Sequence, residues 1–261
     1  TTGLPKGCML THGNFMFEIG VAVTELPELF KGDDASTLLF LPLAHVFARI
    51  IQVGCVKMRT RLGHSADIKN LVLDLQEFQP TFVLAVPRVF EKVFNTASQK
   101  ATADGRGRIF DRAAETAIAY SRGLDKGRPS WAVRARHAVY SRLVYGKLVA
   151  ALGGRCRYAV SGGAPLGDRL GHFYRGIGLT VLEGYGLTET TAALTVNLPE
   201  AIKIGSVGRP LPGTAVRIAD DGELLFRGGQ VFAGYWHNEA ATMEALEPEG
   251  WFHTGDVGEV D

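Results

Sequence analysis

Residues 158–189 read YAVSGGAPLGDRLGHFYRGIGLTVLEGYGLTE. Tyr158, Ala159 and Val160 form a short apolar run that breaks into Ser161-Gly162-Gly163-Ala164-Pro165. A helix to Gly176 follows, then a second run at 180–183, then a second glycine loop, Gly184-Tyr185-Gly186. Strand, glycine loop, helix, strand, glycine loop is the pattern of a parallel α/β unit. In such units ligands sit beyond the carboxyl ends of the strands.

The alternation extends toward the N-terminus. Residues 81–86 (TFVLAV) read as a buried strand stopped by Pro87, which opens a helix carrying Val89, Phe90, Val93 and Phe94. Residues 37–41 read as another buried strand ended by Pro42. A helix capped by Thr11 or Asn14 runs toward Phe30. Residues 67–79 place Ile68, Leu71, Val72, Leu75 and Phe78 on one helical face, and Pro80 stops it. Residues 105–152 read as two long helices parted by 123–130. Their apolar faces are assigned to packing rather than to a membrane surface. Beyond Gly205 the pattern changes. Residues 215–218 and 223–226 flank Asp220-Asp221-Gly222 as a β-hairpin. A short helix at 239–246 and a final strand follow. The expected fold is α/β, with parallel-type sheets and flanking helices at 1–204 and a smaller antiparallel β subdomain at 205–261.

Composition narrows the partners. The 28 Lys plus Arg against 27 Asp plus Glu leave a net charge of +1, too weak a field for non-specific nucleic-acid binding. Three distant cysteines, Cys8, Cys55 and Cys156, make neither a disulfide framework nor a zinc ribbon, and fit a reducing compartment such as the cytoplasm. The most apolar stretch, 37–56, is interrupted by Pro42, His45, Arg49 and Gln52, so no membrane span is expected.

Four loops carry groups suited to chemistry. Thr1-Thr2-Gly3-Leu4-Pro5-Lys6-Gly7 offers hydroxyls, bare backbone and a cation to a polyphosphate. It is not a Walker A loop, because no Gly-Lys-Ser/Thr follows. The alternative is a surface turn. Ser161-Gly162-Gly163-Ala164-Pro165 lets a flat ligand lie against the main chain, or merely connects a strand to a helix. Gly184-Tyr185-Gly186-Leu187-Thr188-Glu189-Thr190-Thr191 offers a stacking face, a hydroxyl and a hard oxygen ligand of the kind Mg²⁺ takes beside phosphates. The alternative is a polar turn with a helix cap. Thr254-Gly255-Asp256 follows Trp251-Phe252. Its Asp suits two ribose hydroxyls, or caps an Asx turn.

In this order and spacing the loops resemble those of the adenylate-forming superfamily of acyl-CoA synthetases, luciferases and peptide-synthetase adenylation domains. Thr1 to Gly7 resembles the end of its phosphate loop. Tyr185-Gly186-Leu187-Thr188-Glu189 resembles its Tyr-Gly-x-Thr-Glu motif, and Thr254-Gly255-Asp256 its Thr-Gly-Asp motif. Leu41-Pro42-Leu43-Ala44-His45-Val46-Phe47, Val86-Pro87-Arg88-Val89-Phe90-Glu91-Lys92 and Ser161-Gly162-Gly163-Ala164-Pro165-Leu166 look most like the long-chain fatty-acyl-CoA synthetases.

The resemblance implies activation of a fatty acid with ATP to acyl-AMP and pyrophosphate, then transfer to CoA. It places Thr1, Thr2, Gly3 and Lys6 at the β- and γ-phosphates, with Thr1 also facing Mg²⁺. Tyr185 stacks on adenine, and Gly163, Ala164 and Gly186 line the adenine and acyl contact. Thr188 meets the α-phosphate, Glu189 the Mg²⁺ and Asp256 the ribose. His45 lies near the reacting carboxylate, or is simply a helix-start histidine. Lys6, His45, Thr188 and Glu189 form the implied catalytic set. Peripheral membrane contact would suit a fatty substrate.

Two rivals remain at this point. One is a nucleotide- or acyl-binding remnant without catalysis. The other is a serine hydrolase using Ser161, with His172, His237 or His253 as base. The start of the phosphate loop, the hinge and the Lys-bearing C-terminal domain of the superfamily have no counterpart in these 261 residues, which read as a fragment of the large N-terminal domain. The isolated chain is therefore expected to show little or no ligation. ATP–pyrophosphate exchange with a fatty acid measures this, and robust exchange would contradict it.

Overall fold

A computed structural model describes residues 5–261. The N-terminal half holds α1 (His12–Glu25), α2 (Pro27–Phe30), β1 (Ser36–Leu39), α3 (Val46–Met58), β2 (Arg61–His64), α4 (Leu71–Phe78), β3 (Phe82–Ala85), α5 (Pro87–Ala103) and α6 (Gly107–Asp125). Then come α7 (Trp131–Tyr140), a π-helical turn (Ser141–Tyr145), α8 (Gly146–Ala151), β4 (Tyr158–Ser161), α9 (Asp168–Ile177) and β5 (Thr180–Tyr185). A 3₁₀ turn (Thr188–Thr190) leads to β6 (Thr195–Val196), β7 (Arg209–Pro210), β8 (Ala215–Ile218), β9 (Glu223–Arg227), α10 (Glu239–Ala245) and β10 (Phe252–Val257).

Seven strands form one sheet in the order β2-β1-β3-β4-β5-β6-β7. The first five are parallel, and β6 and β7 add antiparallel. Of the parallel strands, β1, β3, β4 and β5 are largely buried on both faces because helices cover both, and β2 lies at the margin. Val83, Ala85, Ala159 and Val181 face α4, α5, α6, α8 and α9. Their neighbours Phe82, Leu84, Val160 and Leu182 face the side of α2 and α3. A second sheet, β10-β9-β8, is antiparallel. The expected division at 204/205 falls just before β7, which still pairs with β6 in the large sheet.

Several elements differ from the sequence reading. The first helix stops at Glu25 because Pro27 has no N–H to continue it, and α2 restarts with Pro27 at its first turn. Its N-terminal cap engages both expected residues: Thr11 Oγ1 accepts the Asn14 amide, and Asn14 Oδ1 accepts the Thr11 amide. Helix α4 begins at Leu71, and Ile68 lies exposed in the preceding turn. The second long helix of 105–152 is broken into α7, the π turn and α8.

Two packing details tie distant elements together. Glu18 of α1 is only 2% exposed, and its Oε1 accepts the amide of Ala193, beyond β5. Its Oε2 has no partner among the described residues. Between α6 and α9, a Cβ on Gly176 would lie 2.1 Å from the carbonyl oxygen of Ala117.

Two outcomes follow from these contacts. Gly176→Ala must push α6 and α9 apart and should cost about 2 kcal/mol or more, read as a lower urea midpoint. Burial pushes the Glu18 carboxyl up from 4.5 to about 8. Within that window the folded chain keeps a proton that the unfolded chain has lost. The stability linked to Glu18 is therefore fully present below 4.5 and is lost as pH rises toward about 8. Glu18→Gln cannot ionise, so its urea midpoint should fall less than that of the unmodified chain between the two ends of this window.

Candidate functional site

The register of the parallel strands sets the site. Ala85, Ser161 and Glu183 are paired across β3, β4 and β5. The chain leaves the sheet at Val86 after β3 and at Gly162-Gly163 after β4, while β5 runs on through Gly184 and Tyr185, paired with β6, before its own loop begins at Gly186; the three loops therefore lie along one edge. A Cβ on Gly162 would lie 3.6 Å from the Gly184 carbonyl oxygen and 3.9 Å from the Phe47 ring. One on Gly163 would lie 3.9 Å from Val86. Gly163 has φ +83°, which favours glycine. Gly163 and Ala164 are exposed at this edge.

Glu183 anchors the loop after β4. It is buried, and its Oε2 accepts the amide of Leu166 at 2.9 Å. Burial raises its pKa. Sequence reasoning missed it, because a carboxylate at the end of a buried strand looks like a strand boundary.

The loop after β5 is held by its own backbone. A Cβ on Gly186 would lie 1.6 Å from the carbonyl oxygen of Ala192, so the turn closes only around glycine. Thr188 is exposed at the start of the 3₁₀ turn. The Glu189 carbonyl accepts the amide of Phe232 at 2.8 Å. Its carboxylate Oε1 accepts the hydroxyl of Tyr235, also at 2.8 Å. The Cys8 thiol lies beside the same carboxylate; burial first, and then Glu189, push the thiol up to about 12, so it stays protonated.

Lys6 reaches this group from the other end of the chain. Its Nζ lies 4.9 Å from the centroid of the Tyr235 ring. Backbone bonds secure the approach: Met9 N donates to Gly234 O, and Trp236 N to Gly7 O. Tyr235 thus gathers Lys6 and Glu189. Nothing in its residue type marked it in the sequence; Gly234-Tyr235-Trp236 reads only as an aromatic turn.

The Thr-Gly-Asp segment sits in a bulge of β10. Between His253 and Val257 the ladder with β9 is interrupted, and Gly255 takes φ +72°. The bulge brings Asp256 to Tyr185, whose hydroxyl donates to Asp256 Oδ2 at 2.7 Å. Burial, with Asp256 beside it, pushes the Tyr185 phenol up. Glu223 pins the bulge from β9. Its Oε1 accepts the amide of Gly255 at 2.7 Å, and its Oε2 lies 2.8 Å from His253 Nδ1. His253 Nε2 lies 3.1 Å from Glu247, which pairs with Arg217. These carboxylates, Glu223 first, raise the His253 pKa.

Tyr185 and Asp256 thus meet directly, and Glu189 and Lys6 meet through Tyr235. The two pairs are joined by residues 185–189. His45 is exposed, at the cap position of α3 after β1, and makes no side-chain cap bond. Thr1, Thr2 and Gly3 lie outside the described residues. No group of three or more His, Cys, Asp or Glu side chains that could enclose a metal occurs among the described residues. One carboxylate in an open loop fits Mg²⁺ carried mainly by phosphates and water.

The hydrolase arrangement does not form. Ser161 is buried, and its hydroxyl has no hydrogen-bond partner among the described residues. His172 Nδ1 instead lies 3.0 Å from Ser121 Oγ, and His253 is held by Glu223 and Glu247.

Known proteins resemble this chain in sequence and fold. The family model described as AMP-binding enzyme matches residues 1–236. Long-chain-fatty-acid–CoA ligase FadD15 of Mycobacterium bovis is 57% identical over 261 residues, covering 100% of this chain and 43% of that protein. Human long-chain-fatty-acid–CoA ligase 1 is 32% identical over 272 residues, covering 99% of this chain and 38% of that protein. The chain therefore spans less than half the length of these relatives. The fold is shared with O-succinylbenzoate coenzyme A synthetase from Bacillus subtilis, solved in complex with ATP and magnesium ion. The TM-score is 0.69 at 21% identity, covering 100% of this chain and 46% of that one. With a matching family model across most of its length, this chain belongs to the AMP-binding enzyme family.

Proposed function

We propose that the chain is the nucleotide-holding part of a long-chain fatty-acid–CoA ligase. The observation that carries this reading is the Tyr185–Asp256 hydrogen bond. It places a stacking face and a carboxylate side by side, four residues from Glu189. The relatives named as long-chain-fatty-acid–CoA ligases support the choice of substrate.

In the proposed reaction a carboxylate oxygen attacks the α-phosphorus of ATP and pyrophosphate leaves. The CoA sulfur then attacks the acyl carbonyl and AMP leaves. Both partners of the first step are anionic, so the site must cancel repulsion and hold the oxygens in line. The Tyr185 ring takes the adenine. Asp256 takes ribose hydroxyls, with Oδ1 available while Oδ2 accepts from Tyr185. Lys6, with Thr1, Thr2 and Gly3, holds the β- and γ-phosphates, and Thr188 the α-phosphate. Gly163, Ala164 and Gly186 border the base and the acyl group, and His45 stands by the reacting carboxylate. Glu189, with Thr1, would hold Mg²⁺, which supplies charge neutralisation on the phosphates.

Calorimetry separates these roles. Asp256→Ala should weaken AMP and MgATP alike, by about tenfold or more, because each loses hydrogen bonds to a charged acceptor. Glu189→Gln should weaken MgATP and leave AMP within about twofold, since only the triphosphate brings the metal. Equal effects of the two substitutions on both nucleotides would refute the assignment.

A further inference from the structure

The bulge that carries Asp256 is pinned at each of its three residues. Thr254 Oγ1 donates to the Leu224 carbonyl at 2.7 Å and accepts the Asp256 amide at 3.1 Å. The Gly255 amide donates to Glu223 Oε1, and Asp256 Oδ2 accepts the Tyr185 hydroxyl. The Gly255 contact depends on a β9 side chain that must itself be held. His253 holds it. Its Nδ1 lies 2.8 Å from Glu223 Oε2, and its Nε2 lies 3.1 Å from Glu247 Oε1.

This geometry sets the state of the ring. A carboxylate oxygen only accepts, and a neutral imidazole donates from one nitrogen alone. With a carboxylate at each nitrogen, both contacts are hydrogen bonds only when both nitrogens carry hydrogen. A proton shared between imidazole and carboxyl belongs to the imidazole, the stronger base. Arg217, 2.7 Å from Glu247 Oε1, holds the Glu247 carboxyl below its usual range, so Glu247 has no proton to offer. The charges around the ring are Glu223 from β9, Glu247 from the segment after α10, Arg217 from β8 behind Glu247, and Asp256 on its own strand. Arg227 of β9 lies with Arg217 against the Trp251 ring. The contacting carboxylates, Glu223 first, outweigh partial burial and raise the His253 pKa above 6.5.

We propose that His253 is a positioning residue for nucleotide binding: its imidazolium locks Glu223 onto the Gly255 amide and so keeps Asp256 at Tyr185. When the ring loses a proton, one carboxylate faces a lone pair. In either tautomer the attraction between ring and Glu223 loses a full charge. The hold on Gly255 weakens, the bulge loosens, and the carboxylate meant for the ribose loses its fixed place. Nucleotide affinity therefore falls as pH rises through the His253 transition. This effect rests on the nucleotide reading given above.

The test is AMP calorimetry on the full chain from about pH 6 to about pH 9, beside imidazole nitrogen NMR spectra and the protection of the Gly255 amide against hydrogen exchange. Both His253 nitrogens should be protonated at the acid end. As the ring titrates, Gly255 protection should fall, and AMP affinity should fall about fivefold or more, the worth of one hydrogen bond. Bound AMP should in turn raise the pH at which His253 titrates. The AMP phosphate itself titrates near about pH 6. His253→Gln shows that background alone, and should bind AMP weakly throughout. Glu223→Gln gives the neutral ring a partner: the new amide oxygen accepts from Gly255, its N–H donates to Nδ1, and Nε2–H stays with Glu247. AMP affinity should then vary no more than about twofold with pH beyond that background. This substitution keeps the side-chain shape, so it carries the test alone if His253→Gln fails to fold. A pH dependence of AMP affinity that is the same in the unmodified chain and in His253→Gln would overturn the proposal. So would Gly255 protection unmoved by the His253 titration, or a Glu223→Gln chain that tracks the unmodified one. If AMP binds at no pH, the nucleotide reading fails and takes the binding role of His253 with it; if AMP binds and only the pH dependence is missing, His253 alone fails.

Discussion

Three strands in register determine where chemistry can occur in this chain. Once Ala85, Ser161 and Glu183 are paired across β3, β4 and β5, the loops after them must emerge at one level. The register is specified by burial. A slip of one residue would turn Val160 and Leu182 toward the wrong helices, and both faces would lose their packing. Alignment of the loops is thus a by-product of core formation. Glu183 reinforces it from within by holding the Leu166 amide.

The antiparallel sheet is bound to this edge by polar contacts as well as by packing. Tyr185 reaches Asp256 in the β10 bulge, and the Glu189 backbone and side chain reach Phe232 and Tyr235. Behind the bulge runs a chain of alternating charge, from Arg217 through Glu247 and His253 to Glu223 and the Gly255 amide. Each carboxylate there has a donor, which is what a partly desolvated charge requires. The aromatic rings of Phe232, Tyr235 and Phe252 form a small core beneath.

The α/β pattern was legible because buried strands and amphipathic helices leave distinct periodicities, and Pro42, Pro80 and Pro87 punctuate them. What escaped were short edge elements. Strand β2, Arg61-Leu62-Gly63-His64, has no apolar run because it lies at the sheet margin, and β6 and β7 are two residues each. At the site, the loops with unusual composition stood out: Gly162-Gly163, Tyr185-Gly186 and Thr254-Gly255-Asp256. Their supports did not. Tyr235, Glu223 and Glu183 act through partners 46, 32 and 17 residues away. No local pattern encodes a pairing at such distances. The periodicity of 105–152 likewise signalled helices, yet could not tell the packed face of α6 from the open face of α7.

The absence of a side chain at Gly186 has a thermodynamic meaning. With the Ala192 carbonyl packed against Gly186, the turn after β5 is closed by its own backbone before any small molecule arrives. The freedom of that segment is surrendered when the chain folds, so little remains to be lost on association. A bulkier residue there would force the turn open and shift part of that entropy loss onto the encounter with whatever the loop binds.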